Sequence, residues 1–164
     1  MIGILTEKPS AARNFAKALG ARKSGSCFTG TFQGEPFLIV HSVGHLYGLV
    51  DPRYQVPDAF SGMYGSWDIS NLPWDESIFS WRKEAFPKTK DVVTSIKNAL
   101  SDCYEVVIAT DNDPSGEGDL LAKEILLENH IVPAKFSCMH FTDEAPATLQ
   151  KSFFDRSTIP ALTD

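Results

Sequence analysis

Two periodicities alternate along the chain, one suited to buried strands and one to amphipathic helices. Ile2–Thr6 is a short apolar run closed by a threonine and predicts a buried strand. Pro9 then stands where a first helical turn tolerates it, Phe15 and Leu19 recur on one side, and Gly20 stops the helix. Cys27–Phe32 and 37–43 read as two strands joined by Gln33, Gly34, Glu35 and Pro36, a hairpin signal. Over 91–100 the apolar residues Val92, Val93, Ile96 and Leu100 share one helical face. The apolar run 106–109 predicts a central strand, bounded by Glu105 and Thr110, and Leu120, Leu121, Ile125 and Leu126 predict a helix over Glu117–Glu128. A strand over 135–140 and a last helix over 143–154, with acids in its first turn, complete the pattern. This order predicts an α/β fold with a largely parallel sheet flanked by helices, which places ligands at the carboxyl ends of its strands.

At about 51–88 the periodicity disappears. All three tryptophans (Trp67, Trp74, Trp81) and four prolines (Pro52, Pro57, Pro73, Pro87) fall there. A structureless loop of that length is foreign to a compact domain. The segment therefore reads as an irregular insertion held by its aromatics, or as a surface packing on another element. A base-stacking platform is the functional alternative to local packing.

The length of 164 residues and the 43% hydrophobic share fit one domain with its own core. The 15 basic and 21 acidic residues leave a net charge of −6, which counts against an autonomous nucleic-acid binder. Between Lys97 and Lys123 there is no basic residue but there are six acids: Asp102, Glu105, Asp111, Asp113, Glu117 and Asp119. The surplus thus reads as concentrated around one turn. Cys27, Cys103 and Cys138 are too few and too widely spaced for a disulfide framework or a four-cysteine zinc site. With no signal-like leader and no apolar run near the ~20 residues of a membrane span, a reduced, cytoplasmic setting without a membrane partner is expected.

Two segments look chemical, and each follows a predicted strand. One is Thr6, Glu7, Lys8, Pro9 and Ser10; the other runs from Thr110 through Asp111, Asn112, Asp113, Pro114, Ser115, Gly116, Glu117 and Gly118 to Asp119. A parallel sheet brings both turns to one edge, where Glu7 meets Asp111 and Asp113. Clustered carboxylates repel unless a cation sits among them, and oxygen donors without His or Cys favour Mg²⁺. Gly116 and Gly118 open a helix whose N-terminus favours phosphate, so the set suits phosphoryl transfer. A solvated Asp-rich turn capping a helix is the plain alternative. A calcium loop requires a glutamate where Ala122 stands and a helix where a strand is predicted. A phosphatase of the haloacid dehalogenase type places its Asp-x-Asp near the N-terminus and ends it differently.

Ile4 to Ala12, then Val43, Gly44, His45 and Leu46, then Ala109 to Glu117 resemble, in this order, the Toprim domain of type IA DNA topoisomerases, and the Glu-Lys-Pro-Ser opening is most similar to the topoisomerase III branch. The resemblance spans about the whole chain, 1–164, as one Rossmann-like Toprim domain. It implies Mg²⁺ at Asp111 and Asp113, with Glu7 and Glu117 completing the acidic cluster. It implies Glu7 as the acid that assists the departing or returning 3′-hydroxyl, Lys8 as the cation beside that phosphate, and His45 as a brace of the site. Many family members read Asp-x-Asp-Arg-Glu-Gly-Glu; here Pro114 replaces the Arg and Ser115 the first Glu, which leaves Glu117 or Asp119 to compensate. The family's nucleophilic tyrosine comes from a later domain, and Tyr47, Tyr54, Tyr64 and Tyr104 match no such motif. The expectation is a fragment of a longer multidomain enzyme that cuts, passes and reseals single DNA strands, inactive by itself, with DNA and the remaining topoisomerase domains as partners. The alternatives are a self-sufficient Toprim nuclease or primase-like protein, and a phospho-receiver module.

Overall fold

All five residues of β1 (Ile2–Thr6) are buried, as a strand hydrogen-bonded on both sides requires. The structure is a computed structural model that describes residues 1–112 and 114–160. After β1 come α1 (Pro9–Leu19), β2 (Arg22–Ser24), β3 (Cys27–Phe32), β4 (Glu35–His41), β5 (Tyr47–Leu49), β6 (Lys83–Ala85), α2 (Lys90–Leu100), β7 (Glu105–Ala109), α3 (Glu117–Glu128), β8 (Lys135–Cys138), α4 (Pro146–Phe154) and β9 (Ser157–Ile159). The chain divides into two compact units, one of residues 1–46 and 88–164 and one of 47–87.

In the first unit a seven-stranded sheet runs β2-β3-β4-β1-β7-β8-β9. Its four inner strands are parallel, with β2, β3 and β9 added antiparallel at the edges. The α/β class predicted from the periodicity is what the chain adopts. The first crossover moves from β1 through α1 to β4, and the next returns past β1 through α2 to β7. Right-handed connections therefore put α1 on one face and α2 and α3 on the other. Phe15, Ala16 and Leu19 of α1 pack with Ile2, Ile4, Phe37, Ile39 and Val107, and with Leu149 and Phe153 of α4. On the opposite face a Cβ on Gly3 would lie 2.5 Å from Leu100 of α2.

The structure departs from the sequence pattern at its edges. The hairpin turn is only Gln33 and Gly34, both at positive φ (51° and 88°), so Glu35 already pairs with Phe32. Two left-handed residues match the twist of the flanking strands, and this two-residue turn starts β4 two residues before the predicted 37–43. β2 and β9 are three-residue, mostly exposed strands without an apolar pattern to reveal them.

Glu105 is a buried strand residue rather than a boundary. Its carboxylate accepts from Arg156 Nε at 2.8 Å and Nη2 at 3.2 Å and from Ser137 Oγ at 2.7 Å, with Lys135 Nζ at 3.2 Å. Burial alone would push its pKa up; the bonds from Arg156 and Ser137 prevail and hold it at about 2. Glu105 pairs with Ile2 and Lys135, at the amino ends of the strands. The six acids therefore do not all surround one turn, which corrects the reading from charge.

The second unit, by itself, joins the β5–β6 pair to five short 3-10 turns. Asp51, Asp68 and Asp75 each accept a backbone N–H two residues on, a local turn chemistry that replaces hydrophobic periodicity. Trp74 packs on Trp67, Tyr64 and Phe79 at ring-centroid distances of 4.6, 5.3 and 6.3 Å, and Phe79 packs on Trp81 at 5.3 Å. Aromatic packing holds this segment. Among the described residues no helix is long and apolar enough to cross a membrane.

Candidate active site

Because β4, β1 and β7 are parallel and in register, with Thr6 opposite both His41 and Ala109, the residues after each strand emerge at one edge. Glu7 and Lys8 follow β1, His45 follows β4, and Asp111 follows β7. The connections after β1 and β7 diverge to opposite faces, which makes the gap between them the place where an open α/β sheet binds ligands.

Lys8 Nζ spans that gap to Asp111 Oδ2 at 2.8 Å, both side chains half exposed. The Lys8 pKa is raised, first by this hydrogen bond, against a smaller desolvation effect, and then by the charges of Asp111, Glu7 and Glu144. A second pair, His45 Nε2 to Glu117 Oε1 at 3.2 Å, joins the turn after β4 to the start of α3. The Glu7 carbonyl accepts from the Gly44 N–H at 3.3 Å and the Thr6 carbonyl from Ser42 N–H at 2.8 Å, so the first and second motifs are stitched together by backbone. Five of the six residues singled out thus share one edge; the sixth, Asp113, lies outside the described residues.

The turn after β7 is held from below. Thr110 Oγ1 donates to Asp119 Oδ1 at 2.8 Å, and a Cβ on Gly118 would lie 2.8 Å from Thr110 Cβ. Asp119 is thereby a structural acceptor, which removes it as the natural replacement for the acid at position 115. Ser115 Oγ accepts from the Glu117 N–H at 3.2 Å, and Gly116, at φ +70°, supplies the left-handed bend that opens α3. Gly118→Ala is expected to lower stability by about 1–2 kcal/mol, because overpacking against a buried threonine outweighs the gain of about 1 kcal/mol in helix propensity. Thermal unfolding checks this; an unchanged or higher midpoint contradicts the close approach.

The sequence gave no signal for Glu144, which accepts a hydrogen bond from Asn14 Nδ2 and acts electrostatically on Lys8. With Asp111, Asn112, Phe141, Thr142 and Asp143 it lines an open hollow of about 480 Å³. Among the described residues no three His, Cys, Asp or Glu side chains gather into a metal-holding group. The donor chemistry nevertheless fits Mg²⁺: Asp111 and Glu117 offer exposed carboxylate oxygens, and Mg²⁺ commonly takes one or two carboxylates and keeps its waters.

A family model for the Toprim domain matches residues 3–140. The chain is 33% identical over 132 residues to DNA topoisomerase 3 of Shouchella clausii (strain KSM-K16), covering 78% of this chain and 16% of that protein. It is 30% identical over 125 residues to DNA topoisomerase 3 of Bacillus subtilis (strain 168), covering 75% and 16%. The chain therefore spans about 16% of the length of the relatives it matches.

Proposed function

The chain belongs to the Toprim domain family, and from that membership we propose that it supplies the acidic half of a type IA DNA topoisomerase active site of the topoisomerase III kind. The observation that carries this is the Lys8–Asp111 pair across the gap between β1 and β7, with Glu7 on the same turn. A cation and carboxylates at the point where two connections diverge suit a phosphodiester and a metal together.

In this reading Asp111 and Asp113 hold Mg²⁺, with Glu7 and Glu117 nearby. Bound there, Mg²⁺ supplies positive charge that aligns phosphate oxygens for religation. A tyrosine from another domain attacks phosphorus, and the Glu7 carboxyl gives its proton to the departing 3′ oxygen, taking it back when the strand is resealed. Lys8, released from Asp111, faces the phosphate, and His45 holds Glu117 in place. Tyr104 is a poor nucleophile candidate, since its hydroxyl donates to Glu35 at 3.4 Å on the amino edge of the sheet. A single-stranded DNA substrate and a cytoplasmic setting belong to the same proposal.

The chain incubated with supercoiled plasmid and Mg²⁺ or Mn²⁺ is expected to leave it intact. Metal-dependent nicking that disappears in Asp111→Ala would instead make it a self-sufficient Toprim nuclease.

A further inference from the structure

A second hollow of about 480 Å³ opens at the same carboxyl edge, one strand further out than β1. Pro9 and Arg13 of α1, Lys23 and Ser26 beside the β2–β3 turn, Phe28 of β3, and His41 at the end of β4 line it, with Asp91 and Ser95 of α2 opposite. Arg13 and Lys23 are exposed and form no ion pair or side-chain hydrogen bond among the described residues. They come from different elements, so the fold, not local sequence, converges them. Asp91 is the one carboxylate among the lining residues. Phe28 is half-buried, its ring backed by the α1 core, and Ser95 Oγ donates to Ser26 Oγ at 2.6 Å.

Two unpaired cations, an aromatic and hydroxyls around a volume of this size match a nucleotide: phosphate to the cations, base against the ring. His41 aligns with Thr6 in the β1–β4 register, so adjacent strands, about 4.8 Å apart, separate this hollow from the Glu7–Lys8 turn. That spacing is within one nucleotide's reach along a strand.

We propose that this hollow holds a nucleotide of the DNA strand flanking the one at Glu7 and Lys8, with Arg13 and Lys23 on its phosphate and Phe28 against its base. The inference rests on the topoisomerase reading for the identity of the strand. It explains how a chain of net charge −6 presents a basic contact beside an acidic centre.

The test is titration of the ¹⁵N-labelled chain with oligo-dT of eight nucleotides in Mg²⁺-free buffer, then separately with thymidine monophosphate, inorganic phosphate and Mg²⁺ alone. The oligonucleotide is expected to shift the amides of Arg13, Lys23, Gly25, Ser26, Phe28 and His41. Arg13→Gln with Lys23→Gln weakens its binding about tenfold or more at low salt and flattens the salt dependence by about 1.4 in log–log slope. Phe28→Leu weakens the oligonucleotide and the monophosphate but not inorganic phosphate. Both sets of substitutions keep the thermal midpoint, which confirms folding. Oligonucleotide shifts confined to the Lys8 and Asp111 turns, or undiminished in the double variant, overturn the proposal. Monophosphate that binds in the hollow while the oligonucleotide does not also overturns it and assigns a free-nucleotide site. A Mg²⁺ response at Asp111 without an oligonucleotide response here defeats this inference alone. The reverse pattern defeats the metal reading alone.

Discussion

Arg156→Ala is expected to destabilise the fold by about 3–5 kcal/mol, because it leaves the Glu105 carboxylate buried without its main partner. Glu105 is 1% exposed and Arg156 13%. The arginine makes two bonds to that carboxylate, one to Glu35 at 3.3 Å and one to the Phe153 carbonyl at 2.9 Å, and lies over the Phe153 ring. One side chain thus ties β7, β4 and α4 together at the end of the sheet opposite the candidate active site. The same network sets a pH dependence. The folded pKa of Glu105, about 2, lies below its unfolded value of 4.5. Its stabilisation is therefore fully present above pH 4.5 and is lost as pH falls toward 2, an effect of about 3 kcal/mol. Urea unfolding at pH 7 and at pH 3 measures both: the wild type loses stability between them, and Arg156→Ala starts low and has a flatter profile. A loss under 1 kcal/mol in the variant at pH 7 would contradict the network.

That network also marks where the sequence was opaque. Glu105 lies among six acids with no base between them, and proximity in sequence assigned all of them to one turn. The register of β7 with β1 and β8 decides otherwise, and register is a tertiary property. Arg156, which neutralises Glu105, stands 51 residues away in a segment without periodicity. The central strands and α1 were legible because burial on both faces and a 3.6-residue stripe leave strong local patterns. β2, β5, β6 and β9 were not, since three mostly exposed residues held by pairing carry none. At the site, the ordered motifs placed Glu7, Lys8, His45, Asp111 and Glu117 together correctly. The actual pairing, Lys8 with Asp111 and His45 with Glu117, depends on which loops diverge at the β1–β7 gap. The roles of Asp119 as a support for Thr110 and of Glu144 as a neighbour of Lys8 follow only from packing.

The Lys8–Asp111 bond has a consequence for metal binding. Lys8 occupies an oxygen that the proposed Mg²⁺ needs, so the two cations compete for Asp111. An exposed pair of this kind contributes about 0.2–1 kcal/mol. Lys8→Met is therefore expected to tighten Mg²⁺ binding by about two- to fivefold, even though it removes a group placed beside the phosphate. Asp111→Asn has the opposite and larger effect. It removes the ligand itself, so the loss is expected to equal or exceed the 10–100-fold that follows when only a supporting group is removed.

Mg²⁺ titration of the ¹⁵N-labelled chain, followed through the amides of Glu7, Lys8, Thr110 and Asp111, tests the central claim most directly. The account predicts saturable shifts at these four positions, tighter in Lys8→Met and lost in Asp111→Asn. Spectra that stay unchanged at these positions through tens of millimolar Mg²⁺, or an identical titration in Asp111→Asn, would contradict it.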